Sequence, residues 1–145
     1  MEATLIAVVV IALVFDYTNG FHDAANAVAT SISTRALPPN VALFGAAVLN
    51  LVGALVSTHV AATVASGIVE VSAVTNPVLL GGLIGAIAWN LATWWWAIPS
   101  SSSHCLIGGM VGAVVATSGR EFVKWGGIVN KVLVPTLVAP LIGFA

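Results

Sequence analysis

The chain alternates long apolar stretches with short polar ones, and the polar positions cluster instead of recurring. Leu5–Phe15 is an unbroken apolar run that leads into Asp16-Tyr-Thr-Asn-Gly-Phe-His-Asp-Ala-Ala-Asn-Ala-Val-Ala-Thr-Ser-Ile-Ser-Thr34. A first helical segment is expected over Thr4–Thr34, in two parts. Thr4–Phe15 is too short to cross a bilayer alone, and Asn19-Gly20 is a breaker pair. Helical spacing then resumes from Phe21, which puts Asp23, Asn26 and Thr30 at i, i+3 and i+7 on one face. Thr34-Arg35 and Leu37-Pro38-Pro39-Asn40 make the turn. Segment two, Val41–Ile68, carries Gly45, Ala46, Gly53 and Ala54, small residues that let a neighbouring helix approach. Its polar exceptions, Asn50 and His59, read as interhelical hydrogen bonds, with Asn50 also near enough to mid-span to serve a site. Thr75-Asn76-Pro77 starts segment three, Val78–Ile98, where Gly81 and Gly85 repeat the small-residue spacing. That segment ends in Trp89, Trp94, Trp95 and Trp96, which read either as an interfacial aromatic belt or as a packing plug behind a substrate loop.

The second unusual stretch is Ile98-Pro99-Ser100-Ser101-Ser102-Ser103-His104. Proline disfavours helix at the residue before it and is tolerated at a helix start, and serine is a strong N-cap. A helix is therefore expected to begin near Ser100–Ser103 and to run only about 15 residues, to Thr117, with Gly108 and Gly112 as a further small-residue pair. A short helix opening on four serines offers free N–H groups, hydroxyl donors and a positive dipole end, a combination suited to an anion. One serine suffices for an ordinary cap. Ser118-Gly-Arg-Glu-Phe-Val-Lys124 reads as a charged surface loop, and Trp125–Ala145 as a last apolar segment interrupted by Lys131, Pro135 and Pro140.

Composition sharpens this picture. Of the 145 residues, 59% are hydrophobic and 6% charged, against about 25% charged in soluble domains. The runs are continuous and lack the alternation of a β-barrel, so the chain is expected to be an all-α integral membrane protein. At about 20 apolar residues per span, it holds five to six transmembrane or half-helix segments, all in one transmembrane domain over 1–145. The net charge of -1 leaves no basic patch for nucleic acid. The single Cys105 excludes an internal disulfide. Met1-Glu2 lacks a positive n-region, so Leu5–Phe15 is read as mature protein and not as a signal peptide. Two carboxylates, a histidine and two asparagines between Asp16 and Asn26 are costly inside a membrane unless they are used. Helix capping would explain Asp23 alone but not His22 and Asn26 beside it.

The two stretches together resemble the inorganic phosphate transporter (Pit) family. Gly20-Phe-His-Asp-Ala-Ala-Asn-Ala-Val-Ala-Thr30 matches that family's Gly-x-Asn-Asp-x-Ala-Asn-Ala-x-x-Thr pattern, with His22 where many members have Asn. The Phe-His-Asp form is similar to that of the bacterial low-affinity carriers. Pro99-Ser-Ser-Ser-Ser-His104 matches the family's Pro-x-Ser-x-Ser-His pattern. The resemblance implies a multi-pass protein of the cell (inner or plasma) membrane, a transporter and not an enzyme. It also implies an architecture of two inverted halves, each with one copy of both motifs. A second copy of either is absent here, so the chain is expected to be the N-terminal half of an inverted-repeat carrier. It would then be completed by a missing C-terminal half or a second half-chain, with a homodimer as a further expectation.

Phosphate is a dianion near neutral pH, and Asp23 beside it would repel it unless a cation intervenes. An anion carrier built on a carboxylate is therefore expected to be a cation symporter, with H⁺ or Na⁺ as coupling ion and no other cofactor. The resemblance adds that a divalent metal travels with phosphate in the low-affinity branch. Asp23, Asn26, Asp16 and His22 are the expected cation-coupling residues, with Asp23 as a Na⁺ site. Ser100, Ser101, Ser102, Ser103, Asn26 and Thr30 are the expected phosphate ligands. His104, Pro99 and Gly20 give structural support, with proton carriage as a second role for His104. Sulfate carriage and a non-transporting membrane subunit are the alternatives. A serine hydrolase acting on lipid is disfavoured: there is no Gly-x-Ser-x-Gly turn, and adjacent Ser103 and His104 on a helix diverge.

Overall fold

The computed structural model describes residues 2–56 and 67–144. Its helices are α1 (Glu2–Ser33), α2 (Pro39–Val56), α3 (Asn76–Trp95), α4 (Ser102–Thr117) and α5 (Trp125–Phe144). All but α4 are long and apolar enough to cross a membrane. Among the described residues there is no strand; an isolated antiparallel bridge joins Val69 to Val123. The protein is an all-α, multi-pass membrane protein. His59 lies outside the described residues.

The expected break at Asn19-Gly20 does not occur, and α1 is one continuous helix of 32 residues. A single interior glycine costs a helix only about 1 kcal/mol relative to alanine. In apolar surroundings the freed N–H and C=O groups of a broken turn would have no water to bond, which costs more. Nor is Asp16–Thr34 a free surface helix, because Thr18 and His22 are buried. The last segment likewise bends its hydrogen bonding without breaking. Val129–Leu133 forms a π turn in which Val134 N–H bonds Val129 O, and α-helix continues through Pro140. The wider turn gives the Pro135 ring room against the carbonyl four residues back.

α1 and α3 run parallel. Phe15 packs in one apolar cluster with Leu83 and Ala86, His22 reaches Thr93, and the Phe21 ring meets Trp94 edge-on at 5.4 Å. Higher numbers on one helix therefore meet higher numbers on the other. α4 runs back antiparallel to α3, and glycine makes that contact possible. A Cβ on Gly109 would overlap Gly82 O, and a Cβ on Gly82 would meet Met110 Cα at 3.2 Å. The contact uses Gly82 and Gly109, while Gly108 and Gly112 face open space. The face that α4 turns to α3 follows Cys105, Gly109 and Ala113, four residues apart, and the expected pair lies off that line.

α3 and α4 thus form a hairpin whose tip stands level with His22. The reversal is tight. Ile98 N–H bonds Thr93 O at 2.8 Å and Ala97 N–H bonds Trp94 O at 3.1 Å, with Ala97 in the left-handed region at φ 52°. Trp94, Trp95 and Trp96 are exposed around the tip. At the opposite end, Ile68, Val69, Ala73, Val78, Val114, Val123 and Val132 close a second apolar cluster. There Lys124 pairs with Glu70 at 3.5 Å.

Candidate functional site

The start of α4 delivers the serines. Ser101 is the N-cap: its Oγ accepts from His104 N–H at 3.4 Å, and its carbonyl accepts from Cys105 N–H at 3.0 Å. Helix geometry leaves the N–H groups of Ser102 and Ser103 without an intrahelical acceptor. Ser100 turns the other way, where its Oγ accepts from Trp89 Nε1–H at 3.3 Å and lies 3.3 Å from Cys105 Sγ. The tryptophan therefore braces the serine turn from behind.

α1 brings the carboxylate to this helix start. Ser102 Oγ donates to Asp23 Oδ2 at 3.0 Å across 79 residues of sequence. The other oxygen, Asp23 Oδ1, lies 3.3 Å from His22 Nδ1. His22 is buried and its Nε2 lies 3.3 Å from Thr93 Oγ1 on α3. The result is one connected line, Thr93–His22–Asp23–Ser102, that joins three helices at the hairpin tip. A negative group and the positive end of a helix face each other there, and each satisfies part of the other.

The remaining residues are placed less centrally. Asp16, Asn26 and Thr30 are exposed on α1, and Thr30 O accepts from the hydroxyls of Ser33 and Thr34. Ser103 is exposed on the first turn of α4. Gly20 lies inside α1 with open space around its Cα, and Pro99 is in the exposed reversal. His104 Nε2 lies 3.1 Å from Thr136 Oγ1 on α5, which ties the start of α4 to the last helix. Asn50 donates to Ala46 O on its own helix. Among the described residues no group of three or more His, Cys, Asp and Glu side chains comes together. The described residues therefore offer no nest for a metal of the Zn²⁺ type.

Two residues escape the sequence patterns. Thr93 and Asn90 are 2% and 1% exposed, one turn apart on α3. Both Asn90 amide atoms and Asn19 Oδ1 are buried without a protein partner, and the parallel register puts Asn19 and Asn90 in the same layer. The one signal in the sequence is a polar pair inside an apolar run.

Residues 19–145 match the phosphate transporter family, PHO4. A probable low-affinity inorganic phosphate transporter of Streptomyces halstedii is 57% identical over 148 residues, covering 100% of this chain and 68% of the relative. Proteins described in the same words from Mycobacterium tuberculosis H37Rv and Bacillus subtilis are 56% and 47% identical, over 95% and 96% of this chain. The chain spans 33% and 42% of those two relatives. No solved structure matches.

Proposed function

We propose, for a chain that belongs to the phosphate transporter family, that it binds inorganic phosphate at the N-terminus of α4 and couples its movement to a proton held at Asp23. The observation that carries this reading is the 3.0 Å bond from Ser102 Oγ to Asp23 Oδ2. It puts an anion-suited helix start and an anionic side chain in one place. An approaching dianion would meet the Ser102 and Ser103 N–H groups and the hydroxyls beside them, but also the carboxylate. Loading a positive charge at Asp23 first removes that repulsion and makes the two binding events cooperative.

A proton fits this place better than Na⁺. A ring nitrogen 3.3 Å from a carboxylate oxygen is a favourable contact only with a proton between them. The Ser102 hydroxyl on the other oxygen, at 3.0 Å, is a neutral donor that stays compatible with a protonated carboxyl. The names of the relatives support phosphate as the cargo. Asn26 and Thr30, exposed on the same helix, are assigned to contacts with the rest of the carrier or with phosphate arriving there.

The test is uptake of labelled phosphate into liposomes that contain the full product of the gene, with imposed pH or Na⁺ gradients, with and without Mg²⁺, and with sulfate as competitor. Uptake driven by an inward proton gradient and resistant to sulfate is expected. Uptake that follows Na⁺ alone would overturn the proton assignment, and preferential sulfate uptake would overturn the cargo.

A further inference from the structure

Thr93 Oγ1 lies 2.9 Å from Trp89 O and 3.1 Å from Asn90 O on its own helix, and 3.3 Å from His22 Nε2 on α1. A threonine hydroxyl has one proton to donate. Within a helix that proton goes to the carbonyl three or four residues back, and here those carbonyls are the nearer acceptors. The oxygen is left with lone pairs alone, so it accepts, and His22 Nε2 must carry a hydrogen. We propose that Thr93 is a positioning residue for transport. By accepting from His22 Nε2–H, it holds the imidazole in one orientation and leaves Nδ1 as the nitrogen that faces Asp23.

The surroundings make Thr93 the anchor. The torsion that turns an imidazole about its bond to Cβ is broad and roughly two-fold. Without a polar partner on the far side, the ring can turn a carbon toward Asp23. Among the described residues, the polar contacts to the His22 ring are Asp23 on one side and Thr93 on the other. Asn90, one turn away, makes no protein hydrogen bond with its side chain, so it does not substitute. The inference rests on the assignment of a proton to the His22–Asp23 pair, but its geometry can be read separately.

The experiment pairs Thr93→Val, which keeps the shape and removes the hydroxyl, with Thr93→Ser, which keeps the hydroxyl. The full gene product is labelled with ¹⁵N-histidine, and the His22 signals are assigned by their loss in His22→Asn. In the unmutated protein the Nε2 signal should be that of a protonated nitrogen. Thr93→Val should give a mixture of ring states and lower the turnover of proton-driven phosphate uptake roughly fivefold, the factor expected for one net hydrogen bond. KM for phosphate should change less than about twofold, as for a group that does not touch the cargo. Thr93→Ser should restore both the spectrum and the turnover. A Thr93→Val protein with an unchanged His22 spectrum overturns the proposal, as does an unprotonated Nε2 in the parent protein. If Thr93→Val fails to fold, a Thr93→Ser protein with a disturbed His22 spectrum overturns it, and a parent-like one supports it. Uptake driven by Na⁺ would defeat the coupling assignment while leaving the His22 spectrum to decide the role of Thr93.

Discussion

Asp23 has a different neighbour on each oxygen, an imidazole on Oδ1 and a hydroxyl on Oδ2, and substitutions at this residue and at Ser102 separate their roles. Asp23→Asn keeps the size of the side chain and removes its charge. It is expected to abolish coupled phosphate uptake while membrane insertion, judged by fractionation, stays normal; normal uptake by the variant would remove Asp23 from the site. Ser102→Ala leaves the α4 N–H groups and dipole in place, so phosphate binding should weaken by about 1.5–3 kcal/mol, the range for a lost bond to a charged group. Ser102→Asp should abolish uptake, because it puts a fixed negative charge beside Asp23 where the dianion arrives. An acidic residue in the first turn is itself favourable to a helix, so parent-like uptake by that variant would reduce the serine run to a helix start. Asp23, His22 and Ser102 stand out in the sequence because polar groups are costly in an apolar chain. Thr93 does not, since a threonine that bonds its own helix is unremarkable in a span. Its use depends on which helix comes to lie beside it, and a partner 71 residues away has no local signature.

At the level of the helices, the stretch after Pro99 announces α4 well: a start near Ser100–Ser103 is expected, and Ser102 is observed. Capping chemistry is local, so it can be read locally. The rotation of α4 against α3 is not local, and that is why Gly109 makes the contact in place of the expected Gly108 and Gly112, while Gly81 and Gly85 on α3 do face α4, next to Ala113 and Gly109. Gly109→Ala should force the hairpin apart and lower stability by about 1–3 kcal/mol, measured as the thermal transition in detergent. Gly108→Ala, in open space, should be neutral or slightly stabilising through helix propensity; equal losses for the two would contradict the observed packing. The reversal at the tip makes a further prediction. Ala97 adopts a conformation that costs an L-residue roughly 1–2 kcal/mol, so Ala97→Gly should stabilise the hairpin and raise the same transition. The uninterrupted α1 carries a related lesson. Asn-Gly is a strong turn signal where water can take up the freed backbone groups, and a weak one where lipid and protein surround them.

Across the whole molecule, the parallel α1 and α3 and the returning α4 put the reversal near Arg35 and the loop around Glu121 at opposite ends. Cysteines introduced at Arg35 and at Glu121, with Cys105 replaced by alanine, should react with a membrane-impermeant maleimide from opposite sides of the membrane. Labelling of both from one side would contradict the arrangement. The hairpin tip does not reach the far end of α1. Eleven residues of helix separate His22 from Ser33, about 16 Å at 1.5 Å per residue, against about 30 Å back to Glu2. In electrical terms, under the proposed coupling, a proton that enters from the Ser33 end and stops at Asp23 travels about a third of the length of α1. A full crossing is worth about 2.3 kcal/mol per 100 mV. Were the field to fall evenly along α1, less than about 1 kcal/mol of that would act on proton binding from this side, and the greater part on release toward the other. With a proton carried as proposed and α1 spanning the field, the point where the hairpin tip meets α1 would therefore divide the membrane voltage unevenly between entry and release of that proton.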